Sequence, residues 1–377
     1  MGCGAQSGSP ANTDPVEAER QARAFVEALQ PSEPGKPIVA VVARNEATET
    51  TDFLLTHAVL KRSGVADVHA VAPRRGRVQL YPVLQVEVDE DFAEFEKAYP
   101  SGADYVIVPA MDDADDPVIT KWLQQQADRG ARIIGVCAGA LIVAKAGLLD
   151  NRRFVTHWFY PDKVMERNPT AVHVPNQRYV VDGNVATTTG ITASIPAMLA
   201  LVEAIGGRER AEVLAEQLGV ESWTPAHDSS KFGLHPSRMW NYIVTTLAFW
   251  RHETWSIDVH EGMDDIALAL TADAWSRTGL VDVEASAPRA VRLRSGLVLA
   301  ARPIEEADAP VRLDPALKSV RQLDRTLCEI GERFGPASRE RVMAELEYPG
   351  IDATGWLEPA CGKQDREVTP ESRASSR

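Results

Sequence analysis

From Pro37 onward, short runs of apolar, largely β-branched residues alternate with helical patterns, and this alternation restricts the fold more than any other feature of the chain. Ile38 to Ala43 is a continuous β-type run, Thr50 to Arg62 reads as a helix, and Val68 to Ala72 as the next strand. Tyr105 to Pro109 and Ile133 to Val136 follow as strands, with the helix Pro117 to Asp128 between them. Apolar strands separated by helices make βαβ units, so the expected class is α/β, an open parallel sheet with helices on both faces. Sheets of this kind place their sites outside the carboxyl ends of the strands.

One of these strands leads into the segment that carries chemistry. Arg132-Ile-Ile-Gly-Val-Cys-Ala-Gly-Ala140 passes through a turn of small residues into the helical stretch Leu141 to Ala146. That is the pattern of a nucleophile elbow, which pushes Cys137 out of the sheet and over the first turn of a helix, where unpaired N–H groups favour an anion. A thiol in such a place can have its pKa lowered from about 8.5 to roughly 3.5–7.5. A small buried cysteine is the plainer reading, but packing alone does not call for Gly135, Ala138, Gly139 and Ala140 together. The backbone N–H of Ala138 is the expected oxyanion donor.

Two further side chains are candidates at the same edge. His157, in Val155-Thr-His-Trp158, reads equally as a partner of the thiolate and as a structural histidine beside Trp158. Asp52, early in the first helix, either faces the thiol with a raised pKa or is a helix N-terminal acid stabilised by the dipole. The aspartates at 112, 113, 115 and 116 lack the register and central glycine of a calcium loop and read as caps of the helix beginning at Pro117.

Composition narrows the functional classes. With 40 basic against 54 acidic residues and a net charge of -14, the chain has no broad nucleic-acid footprint. Cys3, Cys137, Cys328 and Cys361 are far apart, without the spacing of a zinc site or a disulfide framework, so neither metal nor cofactor is expected. No apolar run approaches the ~18 residues of a membrane span, which points to a cytoplasmic protein. Met1-Gly-Cys-Gly-Ala-Gln-Ser7 also resembles the mature start of a bacterial lipoprotein, so a lipid anchor at Cys3 and a cell-envelope location form the alternative. A disordered terminus, or a myristoylation start with Gln6 against it, are the other readings.

Four segments are expected. Residues 1–36 form a flexible tether with a short helical pattern, and residues 37–220 form the α/β domain, closed by a hairpin at Asp182-Gly-Asn184 and two helices. Residues 221–357 read as an appended, mainly helical subdomain holding Trp223, Trp240, Trp250, Trp255 and Trp275, with helical patterns at 238–251 and 264–277 and a hairpin near Arg294-Ser-Gly296. It is expected to be a lid or an interface. Residues 358–377 are polar and read as disordered. No internal repeat is evident.

From about Pro37 to Val220 the chain resembles the ThiJ/PfpI superfamily, the class I glutamine-amidotransferase-like proteins. The resemblance rests on Gly-Val-Cys-Ala-Gly-Ala140, on Ala-Gly-Leu-Leu-Asp150 with Thr-His-Trp158, and on Arg178-Tyr-Val-Val-Asp-Gly-Asn-Val-Ala-Thr-Thr-Thr-Gly-Ile-Thr-Ala193. The last two recur in the branch of isonitrile hydratases and the amidase-like domains of AraC-type regulators. The resemblance implies a flavodoxin-like fold, a homodimer, a small-molecule substrate or ligand, Cys137 as nucleophile, Asp52 as the acid that touches it and His157 as a nearby histidine. Ala138 stands where protease-like members have a histidine, and Trp158-Phe159 replaces the His-x-Glu of glutamine amidotransferases, so neither of those activities is implied. Pro109-Ala-Met111 lacks the glycines of a second oxyanion donor. What remains implied is a cysteine-dependent hydratase or hydrolase, or a ligand sensor of the same fold without a DNA-binding domain, since residues 221–377 show no basic recognition helix. Oxidation of an accessible Cys137 is a third reading.

Overall fold

Successive residues of the strand Ile38–Val42 face opposite sides of the sheet, with Val39 and Val41 in one apolar cluster and Ala40 and Val42 in another. A strand buried on both faces needs helices on both, and the computed structural model provides them. It describes residues 15–232, 253–304 and 306–348. The tether before residue 15, Cys3, the expected helix at 238–251 with Trp240 and Trp250, Cys361 and the 358–377 tail lie outside the described residues.

The main sheet has seven strands, in the order Tyr179–Asp182, Val185–Thr188, Arg132–Gly135, Tyr105–Val108, Ile38–Val42, Asp67–Ala72 and Glu90–Asp91. All neighbours are parallel except the first pair, the expected hairpin around Gly183. Helices Thr50–Ser63 and Ser194–Gly206 cover one face, while Pro117–Asp128 and Gly139–Lys145 cover the other. Asp116 caps Pro117–Asp128 through the N–H groups of Val118 and Ile119, as the sequence led us to expect. The neighbouring acids are taken by arginines: Arg44 binds Asp112 and Asp116, and Arg167 binds Asp115.

Residues 253–348 hold the helices Asp265–Ser276, Arg321–Phe334 and Pro336–Glu345, together with a three-stranded parallel sheet of Val281–Ser286, Glu253–Asp258 and Ala309–Val311. The expected hairpin near Gly296 is present as Val291–Arg292 and Val298–Leu299. Its second strand pairs with Gln85–Val88, so the two halves share a sheet. Trp255 and Trp275 pack at a tilt with ring centroids 4.6 Å apart, beside Phe334, and both are buried in the core. Cys328 is disulfide-bonded, which the wide spacing of the cysteines gave no reason to expect. No helix among the described residues is long and apolar enough to cross a membrane.

The helix Gly139–Lys145 approaches its neighbouring strand more closely than a side chain allows. A Cβ on Gly139 would lie 2.0 Å from the carbonyl oxygen of Val108 and 2.9 Å from that of Pro109. Both atoms are backbone and have nowhere to go. Gly139→Ala is therefore expected to destabilise the fold by about 1–3 kcal/mol, read as a lower urea midpoint with an unchanged slope. An unchanged midpoint would show that the helix is not seated this tightly.

Candidate active site

Cys137 has φ +56, in the left-handed region that a non-glycine residue rarely adopts, and this turns its side chain out of the strand end into the following helix. Three threonines hold that conformation. The Cys137 N–H donates to Thr188 Oγ1 at 3.2 Å, the Thr156 hydroxyl donates to the Cys137 carbonyl at 2.8 Å, and Thr187 Oγ1 accepts from Val155 N–H at 2.8 Å. Thr188 and Thr156 thus hold the elbow itself, and Thr187 holds the returning chain at Val155.

The thiol is not activated in the way its position suggested. Cys137 is only 6% exposed, and burial pushes its pKa well above the usual range, with the charges of Asp52, Glu49 and Glu347 adding to the rise. The Ala138 N–H, expected to face an oxyanion, instead hydrogen-bonds the sulfur and pulls the other way. The next N–H groups are spent inside the turn: Gly139 N–H on Val136 O at 2.7 Å and Leu141 N–H on Ala138 O at 3.0 Å. A helix start whose donors are used locally has little left for an anion.

Asp52 is fully buried. Its Oδ2 accepts the Ala110 N–H at 3.1 Å, while Oδ1 has no hydrogen-bond partner. Burial, followed by the charge of Glu49, raises its pKa well above the ordinary carboxyl value. The structure brings Asp52 and Cys137 close enough for each carboxylate charge to be felt at the sulfur, but no hydrogen bond joins them. Ala110, in the loop that lacks glycines, has its N–H occupied by Asp52.

His157 is engaged elsewhere. Its Nε2 donates to the Glu345 carbonyl at 3.0 Å, and its Nδ1 accepts from the Phe159 N–H at 3.3 Å, which fixes the tautomer. Both ring nitrogens therefore serve the backbone, and the structural reading of this residue describes what it does in this state.

Five ionisable residues that the sequence reading missed complete the surroundings. Glu49 caps the first helix, accepting from Asp52 N–H at 2.6 Å and from the Thr51 hydroxyl at 2.8 Å, and its other oxygen accepts from Arg277 at 2.5 Å. Arg277 also binds Asp273 at 2.7 Å. Glu347, with φ +49, accepts from Trp158 N–H at 2.6 Å and lies 3.4 Å from His227 Nε2. Burial opposes the ionisation of Glu347, but His227 and His157 outweigh it and hold its pKa low. The described cavities lie elsewhere: one of about 770 Å³ by Trp223 and Arg208, another of about 300 Å³ by His57 and Arg292.

Comparison with known proteins finds relatives for the part of the chain that carries this site. Residues 37–204 are a DJ-1/PfpI family domain. Over 124 residues the chain is 34% identical to a protein of Pseudomonas putida named isonitrile hydratase, covering 33% of this chain and 52% of that one. Over 115 residues it is 32% identical to the HTH-type transcriptional regulator CdhR of Pseudomonas aeruginosa, covering 30% of this chain and 34% of that protein. The chain thus spans about half, or less, of the length of these curated relatives. Among solved structures, Drosophila melanogaster DJ-1beta matches with a TM-score of 0.44 and 20% identity, over 49% of this chain and 99% of that one. Asp52, Cys137, Ala138, His157 and Glu49 lie within the DJ-1/PfpI domain, whereas Arg277, Glu347 and His227 lie beyond it.

The raised Asp52 pKa has a consequence for stability. The folded protein keeps this proton to a higher pH than the unfolded chain, whose carboxyl titrates near 4, so stability falls as pH rises from about 4 through the folded value. Asp52→Asn removes that loss. The variant is expected to melt above the wild type at neutral pH, by about 2–4 °C per kcal/mol recovered, and to show a shallower decline from pH 4 to 7. Parallel melting curves across that range would mean that Asp52 is ionised in the folded state.

Proposed function

We propose that the DJ-1/PfpI domain of this chain is a cysteine-dependent hydratase or hydrolase acting on a small electrophilic carbon compound, with isonitriles as the first candidates. One observation carries this reading: a left-handed elbow thiol shares a buried site with a carboxyl whose pKa is raised by burial and whose Oδ1 is unpartnered. In the reaction the Cys137 sulfur bonds the substrate carbon, while Asp52 gives its proton to the substrate atom that takes up the electron pair and receives the proton that the thiol loses. Water then cleaves the carbon–sulfur bond, and the thiol and the Asp52 proton are restored. The Ala138 N–H is released from the sulfur as the new bond forms and can then hold developing negative charge. His157 keeps the loop in place rather than moving the proton. Similarity to the Pseudomonas putida protein supports the substrate class.

A specific observation favours a second reading, a ligand sensor without turnover. The sulfur is almost closed off, its pKa is raised, and the Ala110 N–H is already spent on Asp52. Similarity to the domain of a transcriptional regulator supports this reading, although the chain's acidic balance does not favour nucleic acid as a partner. Incubation of the wild type, Cys137→Ser and Asp52→Asn with isonitriles, glyoxals and simple amides separates the two. Turnover by the wild type that drops at least about a hundredfold in both variants is expected. Saturable binding of the same compounds, without product from any of the three proteins, would replace the enzyme reading with the sensor.

A further inference from the structure

Residues 253–348 repeat the first half of the molecule, although no repeat is evident on inspection of the sequence. The trace lies in one stretch. Arg62-Ser-Gly-Val-Ala-Asp-Val-His-Ala-Val-Ala-Pro-Arg74 and Arg277-Thr-Gly-Leu-Val-Asp-Val-Glu-Ala-Ser-Ala-Pro-Arg289 share Arg, Gly, Asp, Val, Ala, Ala, Pro and Arg at matching places. Each begins at the end of a helix and runs into a strand: Thr50–Ser63 into Asp67–Ala72, and Asp265–Ser276 into Val281–Ser286.

The hydrogen bonds repeat with the elements. The Ser63 hydroxyl donates to Leu60 O at 2.6 Å and accepts Val65 N–H at 3.3 Å; the Thr278 hydroxyl donates to Trp275 O at 2.6 Å and accepts Leu280 N–H at 3.2 Å. Asp104 takes the N–H of Ile38 at 2.8 Å just before the strand Tyr105–Val108. Asp308 takes that of Thr254 at 2.8 Å just before Ala309–Val311. In both halves the strand of the first residue lies between the other two, all parallel, with Ile38 opposite Asp67 and Thr254 opposite Asp282. Two helices then follow, broken at Gly207 (φ 84, ψ 163) in one half and Gly335 (φ 88, ψ 165) in the other.

Contacts between the halves are reciprocal, as a two-fold axis requires. The helix Thr50–Ser63 packs on Asp265–Ser276. Arg62 binds Asp264, the N-cap of the second helix, at 2.7 and 3.0 Å, and Arg277 binds Glu49, the N-cap of the first, at 2.5 Å. Thr192 N–H donates to Leu346 O, and Val320 N–H to Leu218 O, both at 3.1 Å. A Cβ on Gly190 would meet the Glu347 side chain, and one on Gly219 would meet Lys318. The hairpins meet as antiparallel strands, with Val86 opposite Leu299 and Glu87 opposite Val298.

The halves differ in one respect that bears on function. Between Tyr105–Val108 and Ser194–Gly206 the first half inserts the strand Arg132–Gly135, the Cys137 elbow and the hairpin; in the second half only residues 312–320 separate Ala309–Val311 from Arg321–Phe334. We propose that residues 253–348 are a degenerate second copy of the domain, docked about an internal two-fold axis as the built-in partner of the Cys137 site, with Arg277 as its positioning residue. The copy has lost its own site and kept the face that completes the other. It stands in the place of the homodimer that the family resemblance implies, and it does not depend on which reaction Cys137 performs.

The symmetry supplies its own control, because Arg62 makes the same interface bond as Arg277 on the side that has no cysteine. The charges felt at the sulfur are those of Asp52 and Glu49, from the first helix and its cap, and of Glu347, from the end of the chain described. Tyr81 from the hairpin lies beside the same acids, and His157 and His227 face Glu347. Arg277 reaches this set through its pair with Glu49 and is shared with Asp273 and Glu345. The experiment follows alkylation of Cys137 by iodoacetamide against pH, read by peptide mass spectrometry on the full chain. Arg277→Gln is expected to move the midpoint about one unit up, a tenfold slower reaction at a given pH below it. Arg277→Lys should return most of the shift, and Arg62→Gln should superimpose on wild type although it loses comparable stability. Equal midpoints in Arg277→Gln and Arg62→Gln, shifted or not, would reduce Arg277 to an interface bond and overturn the proposal. Sedimentation of the full chain is expected to give a monomer, and a stable dimer that Arg62→Gln dissociates would overturn it as well, since that face would then serve a second chain.

Discussion

The ion pair between Arg277 and Glu49 is the contact on which the site depends. Glu49 is 3% exposed and caps the helix that carries Asp52, so its position sets where that helix begins. A buried carboxylate left alone would be costly, and removing one partner of such a pair typically costs several kcal/mol. Arg277 meets that need from 228 positions further along the chain, and Asp273 at 2.7 Å orients its guanidinium. Asp273 is itself raised to about 7, mainly by burial, with Arg277 opposing the rise. The cluster therefore carries fewer negative charges than its carboxyl count suggests, which is how so many acids can share a dry space with a thiol.

What the sequence made legible was local. The βαβ alternation, the elbow and the cap at Asp116 each follow from residues within a few positions of one another, and all are present. Asp52 was also within reach, because the end of the first strand and the elbow must lie at the same edge of a parallel sheet. The thiol's environment was not. Its expected low pKa came from a rule about helix starts, whereas the actual surroundings are set by Glu49, Glu347 and burial, and two of those depend on how residues 253–348 fold back. The surroundings of His157 were out of reach for the same reason: the carbonyl that binds its Nε2 belongs to Glu345.

The hidden repeat shows why inspection of the chain falls short here. A deletion of the strand–elbow–hairpin block from one copy destroys any constant period, and elsewhere the halves share conformation and hydrogen bonding more than residue identity. What survives is the stretch from Arg62 to Pro73 and its counterpart from Arg277 to Pro288. In each, an arginine reaches across the axis, a glycine in the left-handed region follows the helix, and an aspartate lies in the first two residues of the next strand. Selection on an interface and on one helix-to-strand turn preserves such residues even after the chemistry of a copy is gone.

Residues just past the last described helix tie the two halves together near Cys137. Glu347 is one of them: one oxygen takes the Trp158 N–H, its carbonyl takes the Thr192 hydroxyl at 2.6 Å, and its backbone sits at φ +49, where the equivalent position of the first copy is Gly219 at φ +86. A glutamate is retained in a conformation that suits glycine only if its side chain repays the strain, and here the carboxylate answers His227 and closes the loop beside the cysteine. Because the folded state lowers the pKa of Glu347, this contribution is present above the unfolded carboxyl pKa and is lost as pH falls through the folded value. Of the three carboxylate charges felt at the sulfur, that of Glu347 thus comes from the second copy of the fold rather than from the domain that contains the nucleophile.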